Sequence, residues 1–137
     1  MSYTSRQRYD YKYYYPSDTV IATTGATVEN SSSTTMVKLL ELTSINSIHP
    51  ESTFRIKFDL RSDSGLQNVE GRIYINDTAT GTLRACQAWT TYTEDLTTTG
   101  WKLGDRIQIY ARALGAWDVE VKQLKICGES SLWENTT

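Results

Sequence analysis

Histidine, cysteine and proline are scarce in this chain of 137 residues: it has one histidine, two cysteines and two prolines. One histidine and two cysteines cannot by themselves close a four-ligand zinc site. Cys86 and Cys127 could bond only with Cα atoms within about 7 Å, and small buried hydrophobes are the expectation for both. His49 stands before Pro50 in a polar loop, which points to a solvated loop residue and away from a general base. Neither sign of charge is in excess. The formal net charge is -2 with 22% charged residues, so there is no basic face for nucleic acid and no polybasic patch for a membrane. No apolar run approaches the ~20 residues that cross a bilayer. Residues 1–8 lead into tyrosines and charges, so no secretory leader is expected.

Catalytic signatures are missing as well. There is no Gly-x-Ser-x-Gly elbow and no phosphate-cradling glycine loop. Asp59, Asp63, Asp77, Glu94 and Asp95 sit at strand edges or turns, where carboxylates usually serve solvation and block edge pairing. A paired-carboxylate hydrolase ranks last among the readings. Asp63 and Asp77 lie in turns, but no dense Asp-x-Asp-x-Asp run supports calcium. The expectation is no enzyme, no catalytic residue, no metal and no cofactor.

What is abundant is Thr, Tyr, Val and Ile, the residue types that suit a pleated, half-buried surface. No stretch shows a helical apolar period. The clearest strand is residues 54–60: Phe54, Ile56, Phe58 and Leu60 alternate with Arg55, Lys57, Asp59 and Arg61, so one face is buried and the other wet. Strands are also expected over 19–23, 35–45, 69–75, 82–88, from Trp89 on, 106–114 and 117–127. A bulge is expected near Leu39 and Leu40 and a bend between Val121 and Leu124. Asn76-Asp77 reads as a tight hairpin connection, since both residues tolerate the left-handed region. Gly71 is expected to permit close approach. Trp101, between Gly100 and Gly104, is expected to pin a turn to the core. The fold class is therefore all-β: an antiparallel β-sandwich, jelly-roll-like, of about 8–9 strands, with an extended N-terminal arm.

The arm is residues 1–18, the sandwich 19–128, and 129–137 a polar tail, containing Trp133, expected to be loosely held. Six of the nine tyrosines lie in the arm. Tyr9, Tyr11 and Tyr13 alternate with Asp10 and Lys12, so in an extended chain the rings share one side. Together with Tyr14 and Tyr15 they are the candidate subunit-interface residues, because tyrosine combines large area with a polar tip and an arm can add a strand to a neighbour's sheet. Capping the chain's own sandwich is the alternative. Trp89 and Trp117 are the candidate ligand-binding residues, as flat faces for sugar rings; core packing competes with that reading.

Three strings carry a resemblance: residues 71–82 (GRIYINDTATGT), 90–96 (TTYTEDL) and 100–111 (GWKLGDRIQIYA). With strand 53–60 and the end 119–128, they resemble a small β-sandwich module recurrent in tail-fibre and head-decoration proteins of tailed viruses and proviruses of bacteria and archaea. The likeness spans about residues 19–128 and is one of strand and turn pattern. Asn76-Asp77 stands where such modules often have Asn-Gly, and the Tyr-rich arm lies outside it. It implies a non-enzymatic structural protein of a virus particle, of capsid-decoration or tail-fibre type, in a virion or on an extracellular surface. Its partners would be copies of itself in a homo-oligomer or lattice and a major capsid or tail protein, with no nucleic acid and no membrane. The alternative is a carbohydrate-binding or receptor-binding module whose partner is a glycan.

Overall fold

The computed structural model describes residues 8–45, 48, 51–97 and 104–136, with 8–12 and 131–136 as backbone. Ten strands follow one another: β1 (Arg8–Thr23), β2 (Glu29–Ser31), β3 (Val37–Thr43), β4 (Thr53–Ser62), β5 (Val69–Ile75), β6 (Thr78–Ala79), β7 (Arg84–Cys86), β8 (Thr90–Thr97), β9 (Arg106–Ala113) and β10 (Val119–Thr136). Among the described residues there is no helix. The strands form two antiparallel sheets. One has the order β1-β10-β4-β8, with β2 beside β10; the other has the order β3-β9-β5-β6, with β7 beside β5.

The alternation of β4 is realised residue by residue. Phe54, Ile56, Phe58 and Leu60 are buried, and Arg55, Lys57, Asp59 and Arg61 stay partly exposed. The buried four join Val119, Val121 and Leu124 of β10 with Leu40, Val69, Ile73, Ile107 and Ile109 of the other sheet in one apolar cluster. Burying such side chains contributes about 1.5–3 kcal/mol each, and this is what holds the two sheets face to face. Gly71 lets them approach: a Cβ there would lie 3.2 Å from both Leu60 methyls.

Both expected irregularities are present. The β3–β9 register shifts between Lys38 and Leu40. The β10–β4 register shifts between Lys122 and Lys125, with Gln123 at φ 54°. Asn76 and Asp77 carry φ of 49° and 67° and connect Ile75 directly to Thr78, the two-residue turn whose twist matches antiparallel strands. Cys86 and Cys127 are free thiols, and burial pushes both of their pKa values up.

Both ends of the chain are strands in the described residues. β1 spans the boundary drawn at residue 18, with a bulge in its ladder there, and β10 spans the one at 128. From Arg8 on, the segment read as an arm is paired with the chain's own last strand. The segment read as a loose tail supplies that pairing, from Arg8↔Thr136 to Tyr15↔Glu129. Backbone hydrogen bonding is indifferent to side-chain polarity, so a polar strand of Glu and Ser satisfies its ladder as well as an apolar one. Trp101, His49 and Pro50 lie outside the described residues.

Candidate functional site

The molecule has two unlike ends. At one, four connections between the sheets gather, 31–37, 62–69, 86–90 and 113–119, and they are bound to one another. The Ser62 N–H donates to the Gln87 carbonyl (2.8 Å) and the Asp63 N–H to the Asp118 carbonyl (3.0 Å). Gln87 Nε2 donates to Asn68 Oδ1 (3.0 Å), and the Trp117 indole N–H to the Asn68 carbonyl (2.9 Å). The Trp117 ring packs on the core and over Gly115, where a Cβ would lie 2.2 Å from the ring.

Trp89 is engaged differently. The Arg61 guanidinium lies 4.6 Å and the Lys122 ammonium 4.2 Å from its ring centroid. Arg61 also pairs with Glu120 at 2.7 Å. Of the two tryptophans offered as sugar platforms, Trp117 is thus tied into the loops and Trp89 stacks against cations of the chain itself.

The other end holds a pocket. Between the sheets, Tyr14, Ile21, Ala22, Phe54 and Ile126 on one side and Leu42 and Ile107 on the other line an apolar pocket of about 270 Å³, with Ile45 and Ile48 at its rim. Ile45 is 81% exposed. Among the described residues no charged side chain lines this pocket.

From the same end the terminal ribbon emerges. Residues 8–15 of β1 pair with 129–136 of β10, while β4 pairs with β10 only as far as Cys127. Among the described residues no third strand pairs with these eight positions of either chain segment. At its root the ribbon is tied to the body. Tyr14 is buried, its ring 4.6 Å from that of Phe54, and its N–H donates to Ser52 Oγ at 2.8 Å. The Tyr15 hydroxyl donates to Glu129 Oε2 (2.7 Å).

Residues 16–19 bulge out of the ladder between Tyr15 and Val20. Pro16 has no N–H to give to a ladder there. Asp18 fixes this bulge to the outer face of β4 by accepting from Lys57 Nζ (2.9 Å) and Arg55 Nη1 (3.1 Å). Those two hydrogen bonds, Lys57 first, hold the Asp18 carboxyl below its ordinary pKa.

The candidate interface tyrosines are therefore divided. Tyr14 serves the chain's own core. Tyr15, 42% exposed, stands at the root of the ribbon with Tyr13 half-buried beside it. Tyr9 and Tyr11 occupy ladder positions opposite Asn135 and Trp133. Sequence reasoning missed Ser52, Asp18 and the whole 129–136 strand. Only Asp18, a carboxylate two residues after a proline, gave a local turn signal.

A second polar cluster occupies the outer face of the other sheet. Asp77 Oδ1 accepts from Gln108 Nε2 (2.8 Å) and the Tyr110 hydroxyl (2.9 Å), and Oδ2 from Arg106 Nη2 (2.8 Å). These bonds, Gln108 first, lower the Asp77 pKa to about 2. Gln108 is fully buried and also donates to Glu41 (2.7 Å). Each carboxylate oxygen of Asp77 has a donor inside the cluster, which locks the turn. Among the described residues no three His, Cys, Asp or Glu side chains converge as a metal site would require.

The class is that of an all-β domain of two packed antiparallel sheets. No family model, no curated protein and no solved structure matches this chain.

Proposed function

We propose that this chain is a non-enzymatic assembly subunit: a β-sandwich of jelly-roll-like plan that joins to copies of itself through its first and last strands, as a decoration or fibre protein of a virus particle. The observation that carries the reading is the ribbon of residues 8–15 and 129–136, eight paired positions long with no third strand among the described residues. Two strands alone are marginal in water; three or more, or a packed face, are needed for independent stability. Unpaired strand edges are templates for another chain. A subunit that carries such a ribbon holds a preformed joint. The placement in a virus particle is supported by the strand and turn likeness of residues 19–128 and belongs to the proposal with the rest.

Light scattering tests it, on full-length protein and on a variant lacking residues 1–12, which retains Tyr14 for the core. A defined oligomer that becomes a folded monomer on truncation is the expected result. Monomers in both cases, over micromolar to millimolar concentrations, would remove the assembly reading.

A further inference from the structure

We infer that the third strand of the ribbon is β1 of a second copy, paired antiparallel about a two-fold axis through Tyr11. This rests on the assembly reading above and adds to it a partner, an edge and a register.

The edge follows from one hydrogen bond. In an antiparallel ladder, residues alternate between those that exchange bonds with the neighbouring strand and those whose N–H and C=O point away from it. The Tyr14 N–H leaves the β10 ladder and donates to Ser52 Oγ. Tyr14 is thus an outward position, and so, by the alternation, are Lys12, Asp10 and Arg8. By the same alternation the residues between them, Tyr9, Tyr11, Tyr13 and Tyr15, are the ones that exchange bonds with Asn135, Trp133, Ser131 and Glu129 opposite them. Beyond Tyr14, the outward backbone groups of β1 therefore belong to the charged residues Arg8, Asp10 and Lys12.

The register follows from charge. In a two-fold pair of identical strands the outward residues must face one another. Centred on Asp10, the pair would set Asp10 against Asp10 and Arg8 against Lys12. Centred on Lys12, it would set Lys12 against Lys12. Centred on Tyr9, it would match Arg8 with Asp10 but set Lys12 against Arg6. Centred on Tyr13, it would set Asp10 opposite Pro16 and Lys12 opposite Tyr14, leaving both charges without an opposite charge. Only the pair centred on Tyr11 sets Asp10 opposite Lys12 of the second copy, twice by symmetry, with Tyr9 opposite Tyr13; Arg8 then falls opposite Tyr14, where the bond to Ser52 ends the shared ladder. Opposite charges directly across a pair favour it, and like charges oppose it. The product is a four-stranded ribbon, β10-β1-β1-β10, which meets the strand number that stability requires.

The test is Tyr11→Cys in full-length protein with Cys86→Ser, oxidised and run on a non-reducing gel. Opposed residues at a non-hydrogen-bonded position have Cα atoms about 4.5 Å apart, within the disulfide span. In this register Asp10→Cys and Lys12→Cys would sit diagonal to their own copies, about 7–8 Å apart, and should link poorly. Lys12→Asp or Asp10→Lys alone should raise the dimer dissociation constant roughly ten-fold, and the two together should restore it. A covalent dimer through residue 11 with charge-swap rescue is the expected result. An oligomer by light scattering without linkage at residue 11 overturns this pairing while leaving assembly standing; a monomer at all concentrations overturns both.

Discussion

The two ends of the molecule solve the same problem, how to finish a pair of sheets, in opposite ways. At the end built around Trp117, four connections bond to one another and an indole closes the gap, so backbone groups and apolar surface are satisfied within the chain. At the end built around Tyr14, the sheets part over an apolar pocket, an isoleucine stands 81% exposed, and two strands continue outward with no third among the described residues. An end finished internally is a stability device. The proposed joint lies at the second of these ends.

That contrast can be sharpened by substitution. Phe54→Ala removes the ring under Tyr14 at the root of the ribbon and should cost about 3–5 kcal/mol, read as a shift in urea midpoint; it would show that the root belongs to the core although the ribbon does not. Gly115→Ala should cost about 1–3 kcal/mol by driving Trp117 off its seat; no loss would mean that the closed end is not held by that ring. Ile45→Ser should change stability by less than about 0.5 kcal/mol, because Ile45 is 81% exposed.

A pH effect separates the polar cluster of Asp77 from both ends. Its carboxyl titrates near 2 when folded, against 3.8 for the free group. A depressed pKa contributes stability above the unfolded value, and that contribution is lost as pH falls through about 2. The melting temperature of the wild type should therefore drop between pH 4 and pH 2 more steeply than that of Asp77→Asn. Glu41 is held low mainly by Gln108 and titrates in both proteins, so the difference between the curves isolates Asp77. Parallel curves would mean that the network does not depend on that charge.

Much of the interior was legible because its causes are local. The β4 alternation, the Asn76-Asp77 turn, the β3 and β10 bulges and the approach at Gly71 each follow from a few consecutive residues. The ribbon was not, because its two halves lie more than a hundred residues apart and register across that separation leaves no trace in either half. Residues 129–136 lack apolar alternation, the signal by which a strand is read from sequence. Tyr14 reads as one ring in a row of tyrosines, and only Ser52 and Phe54, brought beside it by folding, distinguish it from Tyr13 and Tyr15.

Amide hydrogen exchange of Arg8, Asp10 and Lys12, followed as a function of protein concentration, addresses the joint most directly. Assembly through the outer edge of β1 predicts that these three N–H groups exchange rapidly in dilute protein and become protected as concentration rises, in step with the mass by light scattering. Rapid exchange at every concentration, in a sample that nonetheless oligomerises, would place the joint elsewhere and contradict it.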